Sequence, residues 1–149
     1  MKKAEIIAKY DTHQVVLLST LNQEGLPETR AMINIRHPEI APHLESYFKR
    51  HERLLLITNT SSDKIRHIAD DERASLYLFD PNPQSFNGLL LTGRTREVRD
   101  EATKCALWHE SWKLYYPEGL EGGDFSVLEF LPDSFKFYSQ FKVTKGLVE

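Results

Sequence analysis

Seven short stretches of this sequence carry strand patterning, and most follow one another with no room for a helix between them. Gln14 to Leu21 is rich in Val, Leu and Thr. Pro27 to Ile35 alternates, with Thr29, Ala31, Ile33 and Ile35 on one side and Glu28, Arg30, Met32 and Asn34 on the other. A period of two predicts a strand, and the turn signal Gln23-Glu24-Gly25 joins it to the first as a hairpin. Arg53 to Thr58 holds the run Leu54-Leu55-Leu56-Ile57, which reads as a buried strand. Ala74 to Phe79 and Leu89 to Val98 follow, then Phe125 to Leu131 and Ser134 to Phe141 on either side of Pro132-Asp133. Helical patterning is confined to Met1 to Tyr10, Pro38 to about Lys49, Ser62 to about Asp70, and Asp100 to about Leu114. Helices that fall between groups of strands, rather than after every strand, disfavour a doubly wound parallel sheet. The expectation is a mainly β chain with flanking helices, its strands forming a closed or split antiparallel barrel.

At 149 residues the chain is expected to be one domain spanning 1–149. With 19 Lys+Arg against 22 Asp+Glu, its net charge of -3 argues against holding nucleic acid or an anionic membrane by bulk charge. The one cysteine, Cys105, rules out an internal disulfide framework and a cysteine-based zinc module, and its mid-helix position reads as a buried, inert thiol. The N-terminus lacks the apolar core of a signal peptide, because Glu5 and Lys9 interrupt it, and no apolar run approaches a membrane span. A cytoplasmic location is the expectation. None of the six histidines has a partner at zinc-ligand spacing, and no glycine-rich phosphate loop or Gly-x-Ser-x-Gly elbow occurs.

The segment richest in chemistry is Leu54-Leu55-Leu56-Ile57-Thr58-Asn59-Thr60-Ser61-Ser62-Asp63-Lys64. A buried strand runs straight into a hydroxyl-rich turn and then a helix. The first turn of a helix presents unpaired N–H groups, and with Ser61, Ser62 and Lys64 beside them this suits a phosphate. A simple Ser62 cap beside a solvated lysine is the plainer reading of these residues alone. Arg30, on the opposite strand face from Ala31 and Ile33, becomes a second phosphate cation if that face lines the same cleft. Trp108 and Trp112, four apart, read as a core or interface stripe on one helix face.

Taken in order, these pieces resemble the pyridoxamine 5'-phosphate oxidase-related FMN-binding split-barrel family, especially its general-stress-protein branch. The matching residues are Leu18-Ser19-Thr20-Leu21, Gly25-Leu26-Pro27, Thr29-Arg30-Ala31-Met32, Thr58-Asn59-Thr60-Ser61-Ser62-Asp63-Lys64, Gly93 with Glu97-Val98, and Asp100. Trp108, Tyr116-Pro117-Glu118-Gly119 and Val127-Leu128-Glu129-Phe130 follow. The resemblance implies a split β-barrel that forms a homodimer, with FMN in each of two interfacial clefts and a small-molecule substrate. It implies that Arg30, Lys64, Ser62 and Ser61 contact the phosphate. It implies further that the backbone of Ala31, Met32 and Ile33 lines the flavin ring, and that Thr58 and Asn59 sit against ring and ribityl chain. Tyr138 occupies the place where the family often has a tryptophan on its last strand. The Arg-His-Asp-Arg type run with which true pyridoxamine phosphate oxidases hold substrate has no counterpart in residues 141–149. The expected activity is therefore an FMN-dependent oxidoreduction other than pyridoxal phosphate synthesis, with no catalytic residue assigned. The alternatives are a flavin-binding stress protein without turnover, or a split-barrel binder of haem or a deazaflavin (F420).

Overall fold

A computed structural model describes residues 1–149. The chain runs α1 (Lys3–Tyr10), β1 (Val15–Leu21), β2 (Pro27–Ile33), α2 (Glu45–Arg50), β3 (Leu54–Asn59), α3 (Asp63–Asp70), β4 (Arg73–Phe79), β5 (Gly88–Val98), α4 (Glu101–Leu107), β6 (Phe125–Ser139) and β7 (Lys142–Leu147). Two short 3-10 turns, Pro42–Leu44 and Glu110–Leu114, precede α2 and follow α4. The seven strands form one antiparallel sheet in the order β2-β1-β4-β5-β6-β3, with β7 on the far half of β6. The end strands β2 and β3 approach each other but share no ladder, so the sheet curls without closing. This is the mainly β split architecture that the sequence predicts. No helix is long and apolar enough to cross a membrane.

The predicted β1–β2 hairpin forms in full register, from Val15 opposite Ile33 to Leu21 opposite Pro27. The apolar run of β3 divides between two cores by simple alternation. Leu54 and Leu56 face the barrel interior with Val16, Leu18, Met32, Leu76, Leu91 and Phe130. Leu55 and Ile57 face the flank, where Leu44, Phe48, Leu107, Trp112, Tyr116 and Phe125 cover them. Burial on both faces explains an unbroken apolar run, and each such leucine is worth about 1.5–3 kcal/mol.

Four elements differ from the sequence expectation. The predicted break at Pro132-Asp133 is absent: β6 is one strand of 15 residues. Proline cannot donate to a ladder, and Pro132 sits where the β5–β6 register slips, opposite Gly93. A Cβ at Gly93 would run into the Leu131 carbonyl, so glycine is what lets the strands close over the bulge. The seventh strand is instead β7, reached through a tight turn in which Gln140 (φ 51) and Phe141 (φ 63) both take left-handed backbone without glycine. The helix expected over Pro38 to Lys49 shrinks to a 3-10 turn and the six residues of α2, because Pro42 can only start a helix.

The helix expected from Asp100 to Leu114 stops at Leu107. Its start is as predicted, with the Asp100 carboxylate accepting from the Thr103 N–H at 3.0 Å. His109 then caps a separate 3-10 turn through Nδ1, which accepts from the Ser111 N–H. Trp108 and Trp112 consequently do not stack along one helix. They meet edge to face, at 6.2 Å and 90°, around Phe125. Cys105 is exposed, not buried as expected, because this short α4 turns Thr103 and Leu107 inward instead.

Candidate functional site

The polar end of the barrel interior lies where α3 begins. On β2 the side chains of Arg30 and Met32 point inward, while Ala31 and the 44 % exposed Ile33 point out. Arg30 is drawn in by β1: its Nη1 donates to the Thr20 hydroxyl at 2.7 Å and to the Leu18 carbonyl at 3.3 Å. Its Nε and Nη2 donate to no protein atom. Lys64, on the first turn of α3, donates from Nζ to Thr58 Oγ1 at 2.9 Å and to Ser62 Oγ at 3.1 Å. Ser62 stands at the N-cap position with extended backbone, but its hydroxyl makes no cap bond. It is turned to Lys64 instead.

The two cations are half-buried and neither has an ion-pair partner. Burial holds the Lys64 ammonium below its ordinary value, and the charge of Arg30 lowers it further. Burial likewise lowers Arg30, with Glu28 and Asp63 acting against the shift from a distance. A cluster that disfavours its own charges, with donors left over, is suited to an anion that brings the missing negative charge. Guanidinium Nε and Nη2 form the fork that takes two oxygens of one phosphate or carboxylate.

The turn that carries Ser61 and Ser62 is held from outside by Asp124. One carboxylate oxygen accepts from Asn59 Nδ2 at 2.7 Å and the other from the Ser61 N–H at 3.1 Å. Those bonds keep Asp124 below its ordinary value. Thr60 Oγ1 meets Ser126 Oγ at 2.6 Å. The structure thus gathers Arg30, Thr58, Ser62 and Lys64 into one cluster. It gives the Asn59 amide and the Ser61 N–H a supporting task beside that cluster. Met32 is in the core below Arg30, and Ala31 and Ile33 lie on a strand whose outer edge is unpaired. Tyr138 is not part of the cluster. It sits near the far end of β6, across Gly88 from Phe79, where Tyr77 and Phe79 stack 6.1 Å apart. A Cβ at Gly88 would collide with the Tyr77 ring, so the glycine allows that ring to lie flat on the sheet.

Sequence reasoning assigned no role to Thr20 or His67, which close the cluster from below. The signals for both were present. Thr20 lies on the same face of β1 as Leu18, which is directly opposite Arg30, and His67 follows Lys64 by one helical turn. A cleft of about 830 Å³ lies elsewhere, between α1 and the β4–β5 connection, lined by Lys9, Asp80 and Phe137 among others. It contains none of the predicted site residues. The cation cluster has the stronger claim to be a site, because there the bonding is incomplete.

Comparison with known proteins places the chain. Residues 3–139 match the family model described as pyridoxamine 5'-phosphate oxidase. No curated protein matches the sequence. Among solved structures, a Clostridium acetobutylicum protein related to general stress protein 26 of B. subtilis superposes with a TM-score of 0.74 at 24% identity, covering 97% of this chain and 93% of that one. A pyridoxamine 5'-phosphate oxidase-related, FMN-binding protein from Nostoc punctiforme gives 0.66 at 13% identity, covering 98% and 94%. A haem-binding protein from Mycobacterium smegmatis gives 0.66 at 16%, covering 94% of this chain and 56% of that one. At these identities the likeness is one of fold.

Proposed function

The chain belongs to the pyridoxamine 5'-phosphate oxidase family, and from that premise we propose that it is an FMN-binding flavoprotein acting as an FMN-dependent oxidoreductase on a small molecule. The observation that carries the reading is the pair Arg30 and Lys64: two half-buried cations, free of carboxylate partners, with Nε and Nη2 of Arg30 undirected. A phosphomonoester dianion supplies the two negative charges this pair lacks. Arg30 holds it as a fork, Lys64 as a point charge steadied by Thr58 and Ser62, and Ser61 adds a hydroxyl at the start of α3. The unpaired edge of β2 at Ala31, Met32 and Ile33 gives a flat ring backbone groups to lie against. When bound, FMN would supply the redox chemistry at that ring, and the protein would position it.

The working unit in this reading is a homodimer in the cytoplasm. Val15, 46 % exposed, Ile33 and Phe79 leave an apolar outer surface on β1, β2 and β4, where Tyr77 stacks on Phe79. Tyr138 lies near the end of β6, outside the Arg30–Lys64 cluster of its own chain, so in this reading it would serve the cofactor of a second copy. The purified protein should show flavin absorption bands that leave with FMN on denaturation. A haem Soret band, or a colourless protein that takes up no added FMN, would overturn the reading. Reduction by NADH or NADPH followed by substrate-dependent reoxidation would establish turnover, and light scattering should give the mass of a dimer.

A further inference from the structure

Below the two cations, a buried hydroxyl links Arg30 to a histidine that the proposed cofactor does not touch. Thr20 is 1 % exposed and His67 is 9 % exposed. Thr20 Oγ1 lies 2.7 Å from Arg30 Nη1 and 2.9 Å from His67 Nδ1, and its hydroxyl has no other partner. A guanidinium only donates, so Thr20 Oγ1 accepts from Arg30. The single hydroxyl hydrogen then has one destination, the Nδ1 lone pair of His67. The reverse arrangement, with Nδ1–H donating to Thr20, would bury that hydrogen unbonded, at a cost comparable to a lost hydrogen bond. His67 is thereby held with Nδ1 bare and its proton on Nε2. Nε2 faces Glu28, whose carboxylate is 3.8 Å away, and a polar cleft lined also by Asn22, Glu24, Asp63, Arg66 and Asp70.

We propose that Thr20 is the positioning residue of the anion site, directing the Arg30 guanidinium toward the bound phosphate, and that neutral His67 in the Nε2–H form orients Thr20. The inference rests on reading Arg30 and Lys64 as an anion site. Its logic is that of a base oriented by a third group, applied to binding. Anchoring Nη1 on Thr20 and the Leu18 carbonyl fixes the plane of the guanidinium, so Nε and Nη2 are presented in one orientation. Without the hydroxyl the long side chain regains its rotamers, and a bidentate contact must order it again.

The test compares Thr20→Val, which keeps the shape and removes the hydroxyl, with Thr20→Ser, which keeps the hydroxyl. Affinity is measured for FMN and for inorganic phosphate by calorimetry. The expected result is a loss of about tenfold for both ligands in Thr20→Val, as for one lost hydrogen bond, with Thr20→Ser within about twofold of the unmodified protein. Equal losses in both variants would assign the effect to packing and overturn the proposal, as would undiminished affinity in Thr20→Val. A ligand-free arm uses long-range ¹⁵N–¹H correlation of the histidine rings. His67 should show the Nε2–H tautomer, converting to a mixture in Thr20→Val. An Nδ1–H tautomer in the unmodified protein would overturn the proposal whether or not FMN binds. If instead the unmodified protein binds neither FMN nor phosphate while His67 shows Nε2–H, it is the anion-site reading that fails, and the role of Thr20 toward a ligand fails with it.

Discussion

Two places in this molecule bring a pair of cationic side chains together at the edge of the core, and they are finished in opposite ways. On the flank, Arg53 and Arg96 converge on Glu129, whose side chain is 8 % exposed, at 2.9 and 3.0 Å. Arg53 also reaches Tyr47 and Thr103. Burial pushes the Glu129 carboxyl up, but the bonds from Arg53 and Arg96 outweigh it and leave it below its ordinary value. At the start of α3, Arg30 and Lys64 are backed only by hydroxyls and a carbonyl, with no carboxylate in contact. Structural cations bring their counter-charge with them. Cations without one carry a cost in the free protein that a ligand relieves, and this difference separates a brace from a binding site.

The largest effect expected is at the brace. Glu129→Gln should lower unfolding free energy by about 3 kcal/mol in urea titration, the low end for breaking a buried pair, because Arg96 remains largely exposed and can be rehydrated. A loss below about 1 kcal/mol would show that the brace is no more than a surface pair. At the other cluster the loss should appear in binding. Arg30→Ala and Lys64→Ala should each weaken FMN by about 1.5–3 kcal/mol, the range for a charge-assisted bond, with little change in the stability of the free protein. Unchanged affinity in both would refute the phosphate assignment.

A smaller effect of opposite sign sharpens the contrast. Lys64→Met should raise the stability of the ligand-free protein, by less than about 1 kcal/mol given how much of Lys64 is solvated, while abolishing its binding contribution. The pH dependence follows from the depressed Lys64 value. Between that folded value and the ordinary 10.5, the unfolded chain binds the extra proton, so stability of the free protein rises with pH across the window. Lys64→Met should remove that rise, seen as the difference in Tm between the two proteins along a pH series. The smallest effect belongs to Asp124, which is only half-buried. Its value is lowered by Asn59 and Ser61, so its contribution is full above the ordinary carboxylate range and fades as pH falls through the folded value. Asp124→Ala should flatten that acid limb and loosen FMN slightly, through the turn it supports.

Much of this molecule was legible from local pattern. Alternation placed the β1–β2 hairpin and put Arg30 opposite Ala31 and Ile33, and the strand–turn–helix around Ser62 was read at nearly its observed bounds. Where reading failed, the deciding partner was distant in sequence. Pro132-Asp133 has turn chemistry, and it is a strand because Gly93 lets β5 close against the bulge. β7 has almost no buried face to impose a period, and its turn lacks the glycine that announces a hairpin. Trp108 and Trp112 have helical spacing, but His109 caps a new turn between them.

By itself, then, the sequence determined the strands with one buried face, the antiparallel class and the residue types of the proposed anion site, because alternation, turn residues and hydroxyl-rich helix starts act over a few neighbours. Which cations would be neutralised and which left open was decided only in the tertiary structure. Arg53 and Glu129 are 76 positions apart and Thr20 and His67 are 47 apart. Whether a charge is paired depends on what the folded sheet brings within 3 Å, and no local pattern carries that information.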